Sequence, residues 1–235
     1  MQDLTDAFVA AFQMLVHLDA DLFGIIGLSL EVSLGALLLA ALVGFPLGGV
    51  VALVDFPGRR LAAVFLNALM GLPPVVVGLF VYLMLSRSGP AGSLGWLFTP
   101  KAMVVAQFLL ITPIVAALTR QVLEDLWEEY EMQLRSLGAG PLRAIPTLLW
   151  DGRHRLVTTL LAGFGRAIAE VGAVIIVGGN IAHVTRVMTT AIALETSKGD
   201  LALAMALGIV LIMISLLVNG AAALIDSAAR RGETA

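Results

Sequence analysis

Two opposite charges, Arg166 and Glu170, stand four positions apart in an otherwise apolar stretch. On one helix that spacing places both on a shared face, where they can pair. Arg166 lies 11 residues beyond Arg155, roughly 16 Å along a helix and near the middle of a bilayer. A charge at that depth costs several kcal/mol unless it is paired or hydrated, so such residues are functional candidates. Two readings stay open. Either the pair neutralises itself and ties one span to a neighbour, or Arg166 lines an anion path or gate that Glu170 holds in position. Asn180, Thr185, Thr189 and Thr190 follow soon after. Neutral amide and hydroxyl donors suit a ligand that must be bound and then released, although Asn and Thr also commonly serve as caps and turn residues.

Catalytic chemistry has little footing. His17, His154 and His183 lack metal-ligand spacing, and Ser29, Ser33 and Ser86 have no partner base in view. With no cysteine, there is no disulfide and no thiolate site. No G-x-x-x-x-G-K-[ST] phosphate loop is present. The chain is therefore expected to be no enzyme and to bind no cofactor, leaving any ATP and magnesium to another polypeptide.

These residues sit in an unusual setting. Of 235 residues 59% are hydrophobic and 13% charged, with a mean hydropathy of +0.98. A soluble domain carries about a quarter charged residues, so most of this chain faces lipid. The net charge of −3 offers nucleic acid no basic footprint. Five apolar blocks approach the roughly 20 residues that span a bilayer. They cover about 23–54, with Pro46 and Gly48-Gly49 near its end; 61–85, split by Pro73-Pro74; 102–119, containing Pro113; 156–179, carrying Arg166 and Glu170; and 201–225. A proline inside a span frees a carbonyl and is tolerated only where protein or water meets it. Leu72, before the proline pair, is pushed from helical dihedrals. The second block is thus expected to be broken at Pro73 and Pro74.

Residues 1–21 read as an amphipathic segment. Leu4, Phe8, Ala11, Leu15 and Leu18 form one stripe, backed by Asp6, Gln13 and His17, as in a helix lying in the interface. The acidic start lacks the basic region of a secretory signal. Residues 22–228 form the transmembrane domain and 229–235 a tail. The small-residue pairs Gly44…Gly48 and Ser29…Ser33 allow close helix approach in lipid and support oligomerisation weakly. Glu31 reads as an interface residue.

Basic residues set the orientation, since Lys- and Arg-rich loops stay in the cytoplasm. With five crossings, one side holds Arg59, Arg60, Arg120, Arg135, Arg143, Arg153, Arg155, Arg230 and Arg231. The other holds only Arg87, Lys101, Arg186 and Lys198, with Asp3, Asp6, Asp19 and Asp21. The N-terminus is expected outside and the C-terminus inside.

Between the third and fourth spans lies segment 120–155. Glu124, Asp125, Glu128, Glu129 and Glu131 interleave with Leu123, Leu126, Trp127 and Tyr130 at helical spacing. Gly138 accepts the left-handed conformation that ends a helix, and Pro141 can open the next. The second helix would carry Leu142, Ile145, Leu148 and Leu149. Such a hairpin would lie across the cytoplasmic face. Its apolar ridge must be buried, either in a groove of a soluble partner or against its own bundle.

The stretch Tyr130 to Gly140, YEMQLRSLGAG, resembles the cytoplasmic "EAA" loop of ABC importer permeases, although Met132 occupies the place of the pattern's Glu and Glu131 comes one earlier. The resemblance implies that Glu131, Leu134, Leu137, Gly138, Ala139 and Pro141 dock on the ATPase. The segment from Gly71 through Pro73 and Pro74 to Gly78 is similar to the second core span of molybdate- and sulfate-type permeases. Arg166 to Ala173 resembles the RAxxEFGA stretch of their fourth, and residues 178–200 resemble the tungstate branch. The resemblance covers about residues 23–225. It implies an all-α, polytopic bundle of the type I ABC importer permease kind with about five core spans, in a prokaryotic inner membrane. It further implies a homodimer with two ATP-binding-cassette ATPase subunits and an external solute-binding protein that delivers tungstate or molybdate. Arg166, Glu170, Asn180, Thr189 and Thr190 are the candidate path or gate residues. A gradient-driven carrier would instead show inverted repeats and paired broken helices, and a non-transporting assembly protein would leave the coupling-like loop unexplained.

Overall fold

The computed structural model describes Val9, Phe12, Gln13 and residues 20–233, with side chains to Leu224. The stripe expected from Leu4 to Leu18, and the side chains of the tail, lie outside the described residues.

Among the described residues the chain is helical, without strands. Its elements are α1 (Ala20–Leu53), α2 (Arg59–Leu69), α3 (Pro74–Leu85), a 3-10 turn (Gly92–Leu94), α4 (Pro100–Ser136), α5 (Pro141–Asp151), α6 (Arg153–Ile168), α7 (Gly172–Gly178), α8 (Met188–Lys198) and α9 (Leu201–Glu233). Three of them, α1, α4 and α9, are long and apolar enough to cross a membrane alone. The pairs α2–α3 and α6–α7 qualify together, each bent by more than 40° at its break, which brings the count to as many as five.

The breaks follow from the sequence. Met70 caps α2 with helical dihedrals, Pro73 is extended with ψ 120, and Pro74 opens α3, where its missing N–H costs nothing. By contrast, α1 absorbs Pro46 and α4 absorbs Pro113 without interruption. Three expectations change here. The third block does not end near 119; α4 continues as one helix to Ser136 because no glycine intervenes before Gly138 and residues 120–136 are mostly good helix formers. The fourth block is two helices, and Glu170 lies in its break. Residues 180–200, which the apolar blocks leave as a connection between the fourth and fifth, contain a full helix, α8.

The chain divides into two compact units. The first combines residues up to Ala36 with Pro73–Gln107 and Arg166–Leu217; the second combines Leu37–Leu72, Phe108–Gly165 and the residues from Val218 on. In the first unit, α3 and α7 meet so closely that a Cβ on Gly78 would lie 2.8 Å from Ala173 Cα. In the second, α1 presses on α4. A Cβ on Gly44 would lie 2.8 Å from Val115 Cγ1, and one on Gly48 would lie 2.5 Å from the Ala116 carbonyl oxygen. The Gly44…Gly48 pair thus serves packing inside the chain, as small residues do between helices in lipid. A second cluster buries Val51, Leu66, Ala116 and Ala117, fastening α2 beside this contact.

Adding a methyl group at the tight glycine should therefore force the backbones apart. Gly48→Ala is expected to lower the melting point in detergent, by about 1–3 kcal/mol of stability. Gly220→Ala, on open space in α9, should be neutral or stabilise by up to about 1 kcal/mol.

Candidate functional site

Two places gather the residues singled out from the sequence: a helical hairpin in the second unit and a polar break in the first.

The hairpin is α4 turning into α5. Its turn is closed by two backbone bonds, Gly138 N–H to Arg135 O at 3.0 Å and Ala139 N–H to Leu134 O at 2.9 Å. Gly138 sits at φ 78. This is the Schellman arrangement, in which a left-handed residue lets the chain leave the helix with its last carbonyls paired. Gly140 then extends and Pro141 starts α5.

The expected apolar ridge is buried within the chain itself. Leu123, Leu126, Ile145 and Leu148 pack with Ala52, Leu53 and Leu156, and Trp127, Tyr130, Leu134 and Leu149 lie against this cluster. What remains outward is a second apolar set at the tip: Met132 at 86% exposure, Leu137 at 82%, Trp150 at 73% and Leu142 at 64%. Between the two helices Tyr130, Leu134, Leu137, Leu148 and Trp150 line a recess of about 310 Å³. Of the expected docking residues, Leu137 and Gly138 are exposed, while Leu134, Ala139 and Pro141 are half-buried. Glu131 is held to Arg135 at 2.7 Å. Arg155 pairs with Asp125 across the hairpin's base. Periodicity grouped most of the buried face, but Leu142, expected in the ridge, stands exposed at the start of α5, and Met132 and Trp150, which lie off that stripe, were given no weight.

The polar break lies between α6 and α7. Arg166 and Glu170 do pair, but not on one helix face, because α6 ends at Ile168. Glu170 is 97% buried in its side chain and Arg166 about two-thirds so, the exposures being 3% and 34%. The second carboxylate oxygen of Glu170 accepts the Ala173 N–H of the first turn of α7 at 3.1 Å. One carboxylate thus neutralises an arginine and caps a helix start, where negative charge is favoured.

Other side chains reach the same break. Gln107 Nε2 donates to the Ala167 carbonyl at 3.1 Å, and Thr189 Oγ1 donates to the Glu170 carbonyl at 2.7 Å. Thr185 donates to Gly178 O at 2.6 Å and accepts from the Ile181 N–H at 2.9 Å. Thr190 accepts from the Val187 N–H at 3.2 Å, Asn180 donates to Thr190 O at 3.2 Å, and Ser29 accepts from the Met188 N–H at 2.8 Å. The candidate path residues are thereby brought together, with these hydrogen bonds made to backbone. Gln107, buried in α4, was not foreseen; a lone glutamine in an apolar span was the signal available. Nor was Glu195, a buried carboxylate with Lys198 at 2.9 Å and Arg186 at 3.7 Å. Among the described residues no group of three acidic or histidine side chains could hold a metal ion.

The break makes a testable claim about stability. Glu170→Ala leaves both the Arg166 charge and the Ala173 N–H without their partner, and should cost about 1–3 kcal/mol. Glu170→Gln keeps an acceptor for Ala173 and should cost less. Melting midpoints of the two variants in one detergent check the order.

The comparisons with known proteins agree with this geometry. The family described as "Binding-protein-dependent transport system inner membrane component" matches residues 44–231. The tungstate uptake system permease protein TupB of Peptoclostridium acidaminophilum is 43% identical over 219 residues, covering 93% of this chain and 96% of that protein. TupB of Campylobacter jejuni is 37% identical over 214 residues, 91% of this chain and 90% of its own. A probable anion ABC transporter permease protein of Haloferax volcanii is 38% identical over 203 residues, 84% and 88% of the two chains. The described residues form a helical bundle with three to five candidate crossings, and the chain belongs to the family of inner-membrane components of binding-protein-dependent, ABC-type importers.

Proposed function

We propose that this chain is the permease of a tungstate importer, working as a homodimer with the pathway between the two copies. The substrate rests on likeness: two relatives that align over nine-tenths or more of the chain are named tungstate permeases, and a third is named for an anion. ATP binding and hydrolysis fall to two partner ATPase subunits, and an external binding protein delivers the oxyanion.

One observation carries the coupling role. The hairpin buries one apolar face at home and still presents Met132, Leu137, Leu142 and Trp150 outward around a rigid Schellman turn. A helical tip of that kind fits a groove on a soluble partner. In this reading Glu131, Leu134, Leu137, Gly138, Ala139 and Pro141 form or support the docking tip, within a coupling segment of 120–155 in a permease domain of 22–228. Orientation follows from charge. The second unit carries Arg59, Arg60, Arg120, Arg135, Arg143, Arg153 and Arg155, whereas the first carries Arg87, Lys101, Arg166, Arg186 and Lys198. By the positive-inside rule the connection after α1 and the hairpin of α4 and α5 face the cytoplasm, with the N-terminus outside and the C-terminus inside.

Along the path, Arg166 is the group we assign to meet the anion, since a third of its side chain is open. Glu170 and Thr189 position it by holding the break closed, while Asn180 and Thr190 tie the connection after α7 to α8. ATP-driven closure of the ATPases would draw the two docking tips together and open the path outward; hydrolysis would reset it.

The test is ATPase activity of the chain reconstituted in lipid with its ATPase and binding protein. Tungstate should stimulate hydrolysis. Gly138→Trp should abolish the stimulation, while Gly138→Asn should retain most of it, because Asn tolerates left-handed dihedrals. Unchanged stimulation in Gly138→Trp would contradict the docking role.

A further inference from the structure

One charged side chain of the second unit holds three helices together at a point that none of the roles above explains. Arg59 is the first residue of α2. Its Nε donates to the Val51 carbonyl at 2.9 Å and its Nη2 to the Ala52 carbonyl, both in the last turn of α1. Helix ends leave such carbonyls without intrahelical partners, and a cation there is favoured. The same guanidinium meets Asp55 Oδ1 at 3.0 Å and Glu124 Oε1 at 3.5 Å. The other oxygen of Glu124 accepts from Arg120 Nη1 at 2.6 Å. Arg59 and Glu124 are each about two-thirds shielded from solvent, with side-chain exposures of 33% and 35%. Their pair is therefore screened less than a fully exposed one.

Glu124 stands on α4, which continues without a break to the docking turn, about 18 Å further along the helix. A push on that turn must move Glu124. The contact of Gly44 and Gly48 with Val115 and Ala116 leaves no slack between α1 and α4. Arg59 adds α2, the first half of the interrupted span, to the same rigid group.

We propose that Arg59 and Glu124 are positioning residues that carry displacement of the docking hairpin into α2, so that the interrupted span responds to the ATPase. The proposal rests on the docking role assigned to the hairpin. If Arg59 only caps α1, the carbonyl bonds matter and Glu124 does not.

Glu124→Gln separates the two, since it removes the charge opposite Arg59 but leaves both carbonyl caps. In the lipid-reconstituted complex with ATPase and binding protein, this variant should co-purify with the ATPase and keep its basal hydrolysis. Its tungstate-stimulated ATPase and its uptake should fall by about fivefold or more, the size of a typical coupling between sites. Arg59→Gln should lose stimulation and also melt earlier. Combining the two should cost little more stimulation than Arg59→Gln alone, as expected for partners in one interaction. Asp55→Asn, at the fully exposed end of the cluster, should leave stimulation intact. Should Glu124→Gln not assemble, Glu124→Asp takes its place with the same expected loss, because the shorter side chain cannot reach Arg59. Full stimulation in an assembled Glu124 variant, with Gly138→Trp unresponsive, overturns the transmission role alone. Full stimulation in Gly138→Trp as well overturns the docking role and this inference with it.

Discussion

In lipid a backbone group without a partner has no water to turn to, and among the described residues several interruptions of the helices are closed by side chains. Arg59 covers the carbonyls at the end of α1. Glu170 receives the first turn of α7, Gln107 and Thr189 cover the carbonyls of Ala167 and Glu170, and Ser29 receives the start of α8. The breaks are fixed joints. They hold the interruptions in place, with uninterrupted helices such as α1 and α4 running between them.

That division of labour explains the docking hairpin. Had α4 ended at the membrane surface, a push on the turn would be spent in a loose connection. Instead the helix runs 37 residues from Pro100 to Ser136, and its later turns are packed against α1, α5 and α6 through Leu123, Leu126, Leu53, Ile145, Leu148 and Leu156. The tip can then expose Met132, Leu137 and Trp150 without losing its shape, because Gly138 supplies the turn at little conformational cost.

Much of this was legible in the residues. The apolar blocks, the proline pair, and the glycine and proline that shape the hairpin turn all act through local rules, so the crossings, the break at Pro73-Pro74 and the turn at Gly138 follow from sequence alone. The unbroken passage of α4 from the third apolar block into the hairpin and the break at Glu170 do not. Between Ala167 and Gly172 the chain has no proline or glycine to mark a helix break, and the bonds of Glu170, Gln107 and Thr189 to the backbone there are tertiary features that local rules do not give. The role of the apolar ridge was ambiguous for a related reason. Periodicity tells which residues share a face, but not whether that face meets the chain's own core or a partner. The same limit applies to Gly44 and Gly48, whose spacing allows contact with any close neighbour and which here touch α4.

The central claim is that the exposed tip of the hairpin is where the ATPase docks. Because the chain has no cysteine, Leu137→Cys places a single thiol at that tip. Its rate of labelling by a water-soluble maleimide, measured with and without a cysteine-free ATPase partner bound, reads the contact directly. The account predicts rapid labelling of the isolated chain and strong protection in the assembled complex. Equal labelling in a complex that demonstrably contains the ATPase would contradict it.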